Sequence, residues 1–202
     1  DYDSSSNNAA AILADENELP GIDMARFGRS ISEFLDRETV AGVSALTQYD
    51  RAVEMFRRYY QYEVIDGFVR HTVEVIPETA FREAVANALV HRRWDHSSHI
   101  RISMFDTHVE INSPGGLPRG ITPNDYLSGS VSKLRNKITG TVFSRLDYME
   151  LFGTGVRRIM DAYEGATRKP RFRITDTIIS VTLPILKTTY DVSTDEKLVI
   201  DA

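Results

Sequence analysis

Apolar residues recur at helical spacing over three stretches of the chain. The first runs from Ala45 to about Tyr60, the second from Pro77 to about Arg93, and the third from about Arg135 to Tyr148. Pro77 suits the start of its helix because the first N–H groups of a helix have no partner within it. A shorter helix is expected to follow Gly155 and to end near Ala166.

Short runs rich in β-branched and aromatic residues predict strands. Ile100–Phe105 and Val109–Ser113 predict a hairpin, and Ile178–Leu183 predicts a last strand. Further strands are expected at Ala9–Ala14, Ile22–Phe27, Ile31–Leu35 and Phe68–Ile76. Because strands and helices are interspersed, we expect the α+β class, with a mixed β-sheet covered on one face by helices.

Polar segments set the expected boundaries. Residues 1–8 are predicted to be a polar linker, and residues 9–76 to be strands and a helix that lead into the main domain. That domain is expected to span residues 77–186, with residues 187–202 as a tail or linker. Glycine, proline and serine mark residues 119–133 as a loop. Since the chain does not begin with Met, we expect it to be part of a longer protein.

The composition narrows the classes of function. A net charge of −5 argues against a surface that is basic all round, although it leaves room for a local basic patch. The chain has no cysteine, which excludes disulfides and cysteine-ligated zinc. No apolar run approaches the ~20 residues of a membrane span, and the first residues do not resemble a signal peptide. These features fit a cytoplasmic domain without a membrane partner.

The second predicted helix carries an unusual pair of polar residues. Glu83 and Asn87 lie four positions apart among small apolar residues, so their side chains are neighbours on the helix surface. A carboxylate can orient and deprotonate a water molecule, and an amide oxygen can complete the ligand shell of Mg²⁺. The pair therefore fits hydrolysis of a phosphoanhydride. The alternative is the polar flank of a helix that packs on a sheet.

Two glycine-rich turns follow this helix. INSPGGLP, residues 111–118, comes directly after a predicted strand, and FGTGVRRIM, residues 152–160, leads into a helix. Glycine lets the backbone approach a ligand closely, and a helix N-terminus offers free N–H groups to phosphate. Each turn alone is common. The polar pair and both turns, in this order, are far more specific for a nucleotide site.

Together these motifs resemble the GHKL ATPases, the family of gyrase, Hsp90, histidine kinases and MutL. More narrowly, FREAVANALVHRRW, EINSPGGLPRGIT, SVSKLRNKI and LFGTGVRRIMDAY are similar to the GHKL-type, HATPase-like domain of RecG-like transcriptional regulators in the Schlafen/AlbA-associated family. The resemblance covers roughly residues 9–186. It implies a GHKL (Bergerat-type) ATP-binding sandwich, and DNA binding through domains outside this chain.

The resemblance also implies roles for single residues. Glu83 would be the general base that activates water, and Asn87 would bind nucleotide and ligate Mg²⁺. Asn112 would reach the adenine amino group, although most of the family has Asp there, and a neutral acceptor forms a bond about half as strong. The other candidates for nucleotide binding are Gly115, Gly116, Ser132, Lys133, Arg135, Asn136, Gly153, Thr154 and Gly155.

The implied function is an ATP-binding regulatory domain of a transcriptional regulator, with ATP and Mg²⁺ as ligands, weak ATP hydrolysis and a homodimer. The alternative is a non-enzymatic scaffold of the same fold for dimerisation and DNA-linked regulation, which Asn112 favours and Glu83 does not. The chain is not a helicase motor, because it has no G-x-x-x-x-G-K-[ST] motif. The basic, His-rich residues 91–101 leave contact with DNA phosphate or with a metal open.

Overall fold

The computed structural model describes residues 4–130 and 133–186. Its strands are β1 (Ile22–Phe27), β2 (Phe34–Val40), β3 (Gln61–Asp66), β4 (Val69–Glu74), β5 (Ile100–Met104), β6 (His108–Pro114), β7 (Arg171–Ile174) and β8 (Ile178–Pro184). Its helices are α1 (Ser4–Leu13), α2 (Ala45–Tyr60), α3 (Glu78–His91), α4 (Pro123–Ser128), α5 (Lys137–Arg145) and α6 (Gly155–Asp161).

Six strands form one mixed sheet in the order β2-β1-β5-β6-β8-β7. β1 and β5 are parallel, and the other neighbours are antiparallel. Successive side chains of a strand point to opposite faces, so alternate residues such as Met24, Ile102, Ile111 and Val181 are buried on one face. Helices α2 and α3 pack on that face. The predicted α+β class, with helices on one face of a mixed sheet, is confirmed.

Helix α3 lies at the centre of the helical layer. Ala84 and Ala88 are buried, and their small side chains let α3 pack closely on β6 and β8 while α2 and α6 flank it. Phe81 stacks on Phe56 of α2 with ring centroids 4.1 Å apart. Because neighbours enclose α3 on nearly every side, the polar edge expected from the sequence is buried, and Glu83 is only 3% exposed.

The predicted elements differ from the structure mainly near the N-terminus. The strand expected at Ala9–Ala14 is wrong, because residues 9–13 belong to α1, which also overlaps the expected linker. Three consecutive alanines, residues 9–11, have the highest helix propensity of any residue type. The strand expected at Ile31–Leu35 begins only at Phe34. The remaining domain boundaries stay predictions, and the expected tail, residues 187–202, lies outside the described residues.

Three short elements were not expected at all: β3, β7 and α4. The α4 segment has a sequence signature, because Thr122 and Asp125 form a capping box with Pro123 at the first helical turn. Within residues 4–130 and 133–186, none of the helices has the length and apolarity required to cross a membrane.

Candidate functional site

Glu83 and Asn87 form a hydrogen-bonded pair on a buried side of α3. Asn87 donates from Nδ2 to Oε1 of Glu83 at 3.0 Å, which leaves Oδ1 of Asn87 as an acceptor for another group. Burial raises the pKa of Glu83, while the positive charge of Arg158 and the hydrogen bond from Asn87 act against that rise. A carboxylate with a raised pKa is a stronger base, which suits proton abstraction from water.

Arg158 of α6 competes for the same carboxylate. Its Nη1 lies 3.7 Å from Oε2 of Glu83 and 3.7 Å from Oε1 of Glu150. This ion pair favours the ionised form of Glu83 and occupies one side of it. Because a paired carboxylate is a weaker base, this ion pair works against proton transfer by Glu83.

The second glycine turn packs directly on the polar pair. A Cβ atom at Gly155 would lie 2.6 Å from both Nδ2 of Asn87 and Oε1 of Glu83, a distance that real Cβ contacts do not show. Gly153 has a φ of +74°, which favours glycine. The two glycines let the start of α6 approach α3 until backbone and polar side chains touch.

A cavity lies between α3, this glycine turn and residues 117–130. Asn87, Gly153 and Gly155 line one side of it, and Leu117, Tyr126 and Lys133 line the other. The cavity measures about 50 Å³, enough for a few water molecules. Sites for small molecules have volumes of roughly 300–1,000 Å³. A nucleotide therefore fits only if part of the lining moves outward.

Tyr126 of α4 lines this space. Its ring contributes to the cavity described above and to a smaller one, of about 20 Å³, that reaches Ser113 and Ile179 beneath α3. Burial raises the pKa of Tyr126 to about 12, and the negative charge of Glu83 adds to the effect. The tyrosine is thus neutral, and it lines the same cavity as Asn87. The sequence motifs gave no signal for this residue.

His91, at the end of α3, lines both cavities. Burial lowers the pKa of His91 to about 4, and the charge of Arg135 contributes to this shift. The imidazole is therefore neutral at physiological pH and offers one donor and one acceptor to a ligand.

Asn112 does not line either cavity. Its Oδ1 accepts a hydrogen bond of 2.6 Å from Oγ of Ser180, on the sheet face away from α3. The next residue, Ser113, faces α3, and its Oγ donates to the carbonyl oxygen of Ala88 at 3.0 Å. The geometry gives no support to an adenine contact by Asn112.

Gly115 and Gly116 serve the packing of the first turn. The N–H of Gly115, which has a φ of +101°, donates to the carbonyl oxygen of Thr177 at 2.7 Å. A Cβ atom at Gly116 would lie 2.5 Å from the carbonyl oxygen of Asp176. Both glycines allow the end of β6 to approach the loop between β7 and β8. Neither contributes to the wall of the larger cavity.

Three of the candidates for nucleotide binding, Lys133, Arg135 and Asn136, have different surroundings. Lys133 lines the cavity and donates to the carbonyl oxygen of Arg119 at 3.0 Å. Arg135 donates to the carbonyl oxygen of Gly116 at 2.6 Å. Asn136 donates from Nδ2 to the carbonyl oxygens of Val90 and Arg92, so it satisfies the end of α3. Thr154 precedes α6 without a side-chain capping bond, and Ser132 lies outside the described residues.

The basic stretch after α3 is largely structural. The guanidinium group of Arg92 is fully buried and donates to four backbone carbonyl groups, those of Pro20, Gly21, His96 and Ser98. Nδ1 of His99 accepts from the N–H of Gly21. In the part of the chain that the structure describes, no three His, Cys, Asp or Glu side chains converge as a metal site. The local fold therefore explains Arg92 and His99 without DNA or metal.

Comparison with known proteins supports an HATPase-like domain that includes both glycine turns. Residues 97–183 match the family model HATPase_c_4, described as "Putative ATP-dependent DNA helicase recG C-terminal". The structure is similar to the DIP2311 protein from Corynebacterium diphtheriae, with a TM-score of 0.76 and 26% sequence identity. The similarity covers 91% of this chain, which spans 38% of that protein. No curated protein matches the sequence.

Proposed function

Because residues 97–183 match the HATPase_c_4 family model, we propose that this chain binds ATP with Mg²⁺ between α3, the turn at residues 153–155 and α4. The observation that carries the proposal is the packing of Gly155 on Glu83 and Asn87. That packing places Asn87 and Gly155 at one cavity, which Lys133 also lines, while the carboxylate of Glu83 contacts Asn87 from outside the lining. An ammonium group and backbone N–H groups are natural partners of phosphate.

The polar pair fits a magnesium ion shared with phosphates. Asn87 uses its Nδ2 atom toward Glu83, so its Oδ1 atom remains for a hard cation. No cluster of three potential metal ligands exists in residues 4–130 and 133–186, so the protein would supply few ligands and the nucleotide and water the others. When bound, the ion would neutralise charge on the phosphates. We therefore expect little binding of Mg²⁺ alone.

Hydrolysis is proposed as a slow side reaction. Glu83 would orient a water molecule and accept its proton, which the effect of burial on its pKa favours. The ion pair with Arg158 opposes this role, because a paired carboxylate is a weaker base. Binding, rather than turnover, is then the main event at this site.

A regulatory role follows from the size of the cavity. The space of about 50 Å³ cannot hold a nucleotide while Tyr126 and the other lining residues keep their positions. ATP would therefore displace α4, and this movement would transmit the bound state to parts of the protein outside this chain. In our proposal those parts bind DNA, and the whole protein is a cytoplasmic transcriptional regulator.

A second candidate function is a non-enzymatic scaffold of the same fold. The small cavity and the ion pair between Glu83 and Arg158 favour it, because both hold the site closed and charge-balanced without a ligand. In that case the glycine turns and the polar pair would serve packing alone.

Calorimetric titration of ATP, with and without Mg²⁺, into the whole chain distinguishes the two functions. We expect binding that needs Mg²⁺ and that Asn87→Ala abolishes. Asn8→Ala, an exposed amide on α1, is the matched control and should leave binding unchanged. If no heat of binding is measured at about 1 mM ATP, the binding free energy is weaker than about −4 kcal/mol, and this result would favour the scaffold.

A further inference from the structure

Strands β3 and β4 form a hairpin outside the main sheet. The two-residue turn Gly67–Phe68 joins them, and Gly67 has a φ of +59°. Four of the six residues in β3 and five of the six in β4 are exposed. A two-stranded hairpin is marginal in water, and a third strand or a covering layer usually stabilises it. The described residues provide neither for β4.

One face of this hairpin carries four apolar residues, Tyr62, Val64, Val69 and Val73, together with the polar His71 and Asp66. The register places Tyr62 opposite Val73 and Asp66 opposite Val69, so these side chains share a face with Val64. Tyr62 is 41% exposed and Val69 is 55% exposed. Phe68, at the turn, is fully exposed. Adjacent exposed apolar residues of this kind mark an interaction surface.

The outer edge of β4 has free backbone groups. The N–H of Val75 donates to the carbonyl oxygen of Tyr60 at 2.9 Å, which shows that odd-numbered residues of this segment direct their backbone groups toward β3. Backbone directions alternate along a strand. The N–H and C=O groups of Arg70, Thr72 and Glu74 therefore point to the outer edge, and no described strand pairs with them there.

We propose that β4 pairs with the β4 of a second copy of this chain, antiparallel, with Thr72 opposite Thr72 at the two-fold axis. This register places Arg70 opposite Glu74 on both sides of the axis, and opposite charges across a strand pair stabilise it. Sliding the second strand until Arg70 faces Arg70 would set like charges against each other. A closed two-fold contact of this kind uses the same surface on both copies.

The charges at this edge are available for the pairing. Arg70 contacts Glu63 at 3.0 Å, but both side chains are more than half exposed, so this ion pair is weak. Glu74 accepts the N–H of Glu78 with Oε2 and keeps Oε1 for a partner. The paired hairpins form one four-stranded sheet, and the faces that carry Tyr62 and Val69 become continuous. This inference does not depend on nucleotide binding.

A cysteine at position 72 tests the register directly. The chain has no cysteine, so Thr72→Cys introduces a single thiol at the two-fold axis. Hydrogen-bonded antiparallel partners have Cα atoms about 5.5 Å apart, within the range of a disulfide. We expect a disulfide-linked dimer under mild oxidation. Glu63→Cys is the control, because its counterpart lies about three strand spacings away, roughly 14 Å.

Analytical ultracentrifugation of the whole chain tests the pairing without cross-links. We expect a reversible dimer, which Thr72→Pro weakens at least tenfold. Proline removes an N–H from the outer edge while leaving the groups that face β3 intact. Unchanged circular dichroism and melting temperature would show that this variant is folded.

Two charge variants supply a matched pair. Arg70→Glu and Glu74→Arg each place like charges in contact across the proposed axis, so each variant alone should be monomeric. An equimolar mixture restores both opposite-charge pairs and should form a heterodimer. A monomeric wild type, a dimer that Thr72→Pro leaves intact, or a mixture that stays monomeric would overturn the proposal. A monomer that Thr72→Pro destabilises would instead assign the edge to another segment of the same chain.

Discussion

Gly155 lies so close to Asn87 that a Cβ atom on the glycine would stand 2.6 Å from the amide nitrogen. Gly155→Ala must therefore displace Asn87 and Glu83 from each other. We expect ATP affinity to fall at least tenfold and the free energy of unfolding to fall by about 1–3 kcal/mol, as for other overpacked sites. Titration calorimetry and thermal melts measure the two effects.

Gly28→Ala is the control for this prediction. A Cβ there would meet only the side chain of Glu33 in an exposed loop, which can move aside. Equal ATP affinity in wild type and Gly155→Ala would contradict the location of the nucleotide next to Asn87.

Replacement of Glu83 separates binding from hydrolysis. Glu83→Gln keeps an acceptor for Asn87 and removes a buried charge, so we expect loss of hydrolysis, ATP affinity within about threefold, and stabilisation at pH 7.5 of about 1 kcal/mol, or 2–4 °C in melting temperature. Because burial raises the pKa of Glu83, the cost of its charge is present at neutral pH and disappears as the pH falls through that pKa.

The gain in stability should therefore shrink in acid. Glu150→Gln, which changes the other and more exposed partner of Arg158, should not stabilise the chain. Full hydrolysis in Glu83→Gln would remove this residue from the reaction.

Tyr126 should compete with the nucleotide. Tyr126→Ala removes the ring from the cavity wall, so ATP no longer has to displace it, and we expect at least tenfold tighter binding. Leu127→Ala, on the exposed side of the same short helix, should leave the affinity unchanged. Weaker binding by Tyr126→Ala would mean that the ring contacts the nucleotide instead of blocking it.

His91 should make the fold sensitive to mild acid. Its pKa is lowered from 6.5 to about 4, so the unfolded chain takes up a proton between these values while the native chain does not. Stability is therefore lost as the pH falls below about 6.5, by up to about 2 kcal/mol at pH 5 for this group.

Thermal melts of wild type and His91→Gln at pH 7 and pH 5 measure this contribution. Other groups titrate alike in both proteins, so the wild type should lose more stability between the two pH values. The same loss in both proteins would contradict a neutral, buried imidazole.

The sequence by itself determined the core elements and the approximate location of the site. Periodicity predicted α2 to its terminal residues, and the Glu83–Asn87 spacing together with the GTG turn identified the two segments that meet. These signals are local, because a helix period or a glycine turn depends on residues close together in the chain. The alternation Val109, Ile111, Ser113 also indicated the side of β6 that faces α3, whereas Asn112 lies on the other side and bonds to Ser180.

Tertiary structure alone decided how these parts act on one another. Arg158 reaches Glu83 from α6, and Tyr126 reaches the cavity from α4, across many intervening residues. Asn136 resembles a phosphate contact in sequence but satisfies the carbonyl groups at the end of α3. Each of these roles depends on which residue, distant in the sequence, lies near enough to pair with a charge, to form a hydrogen bond or to line a cavity. A pattern of residues that are close together in the sequence does not show which distant residues lie near them in the folded chain.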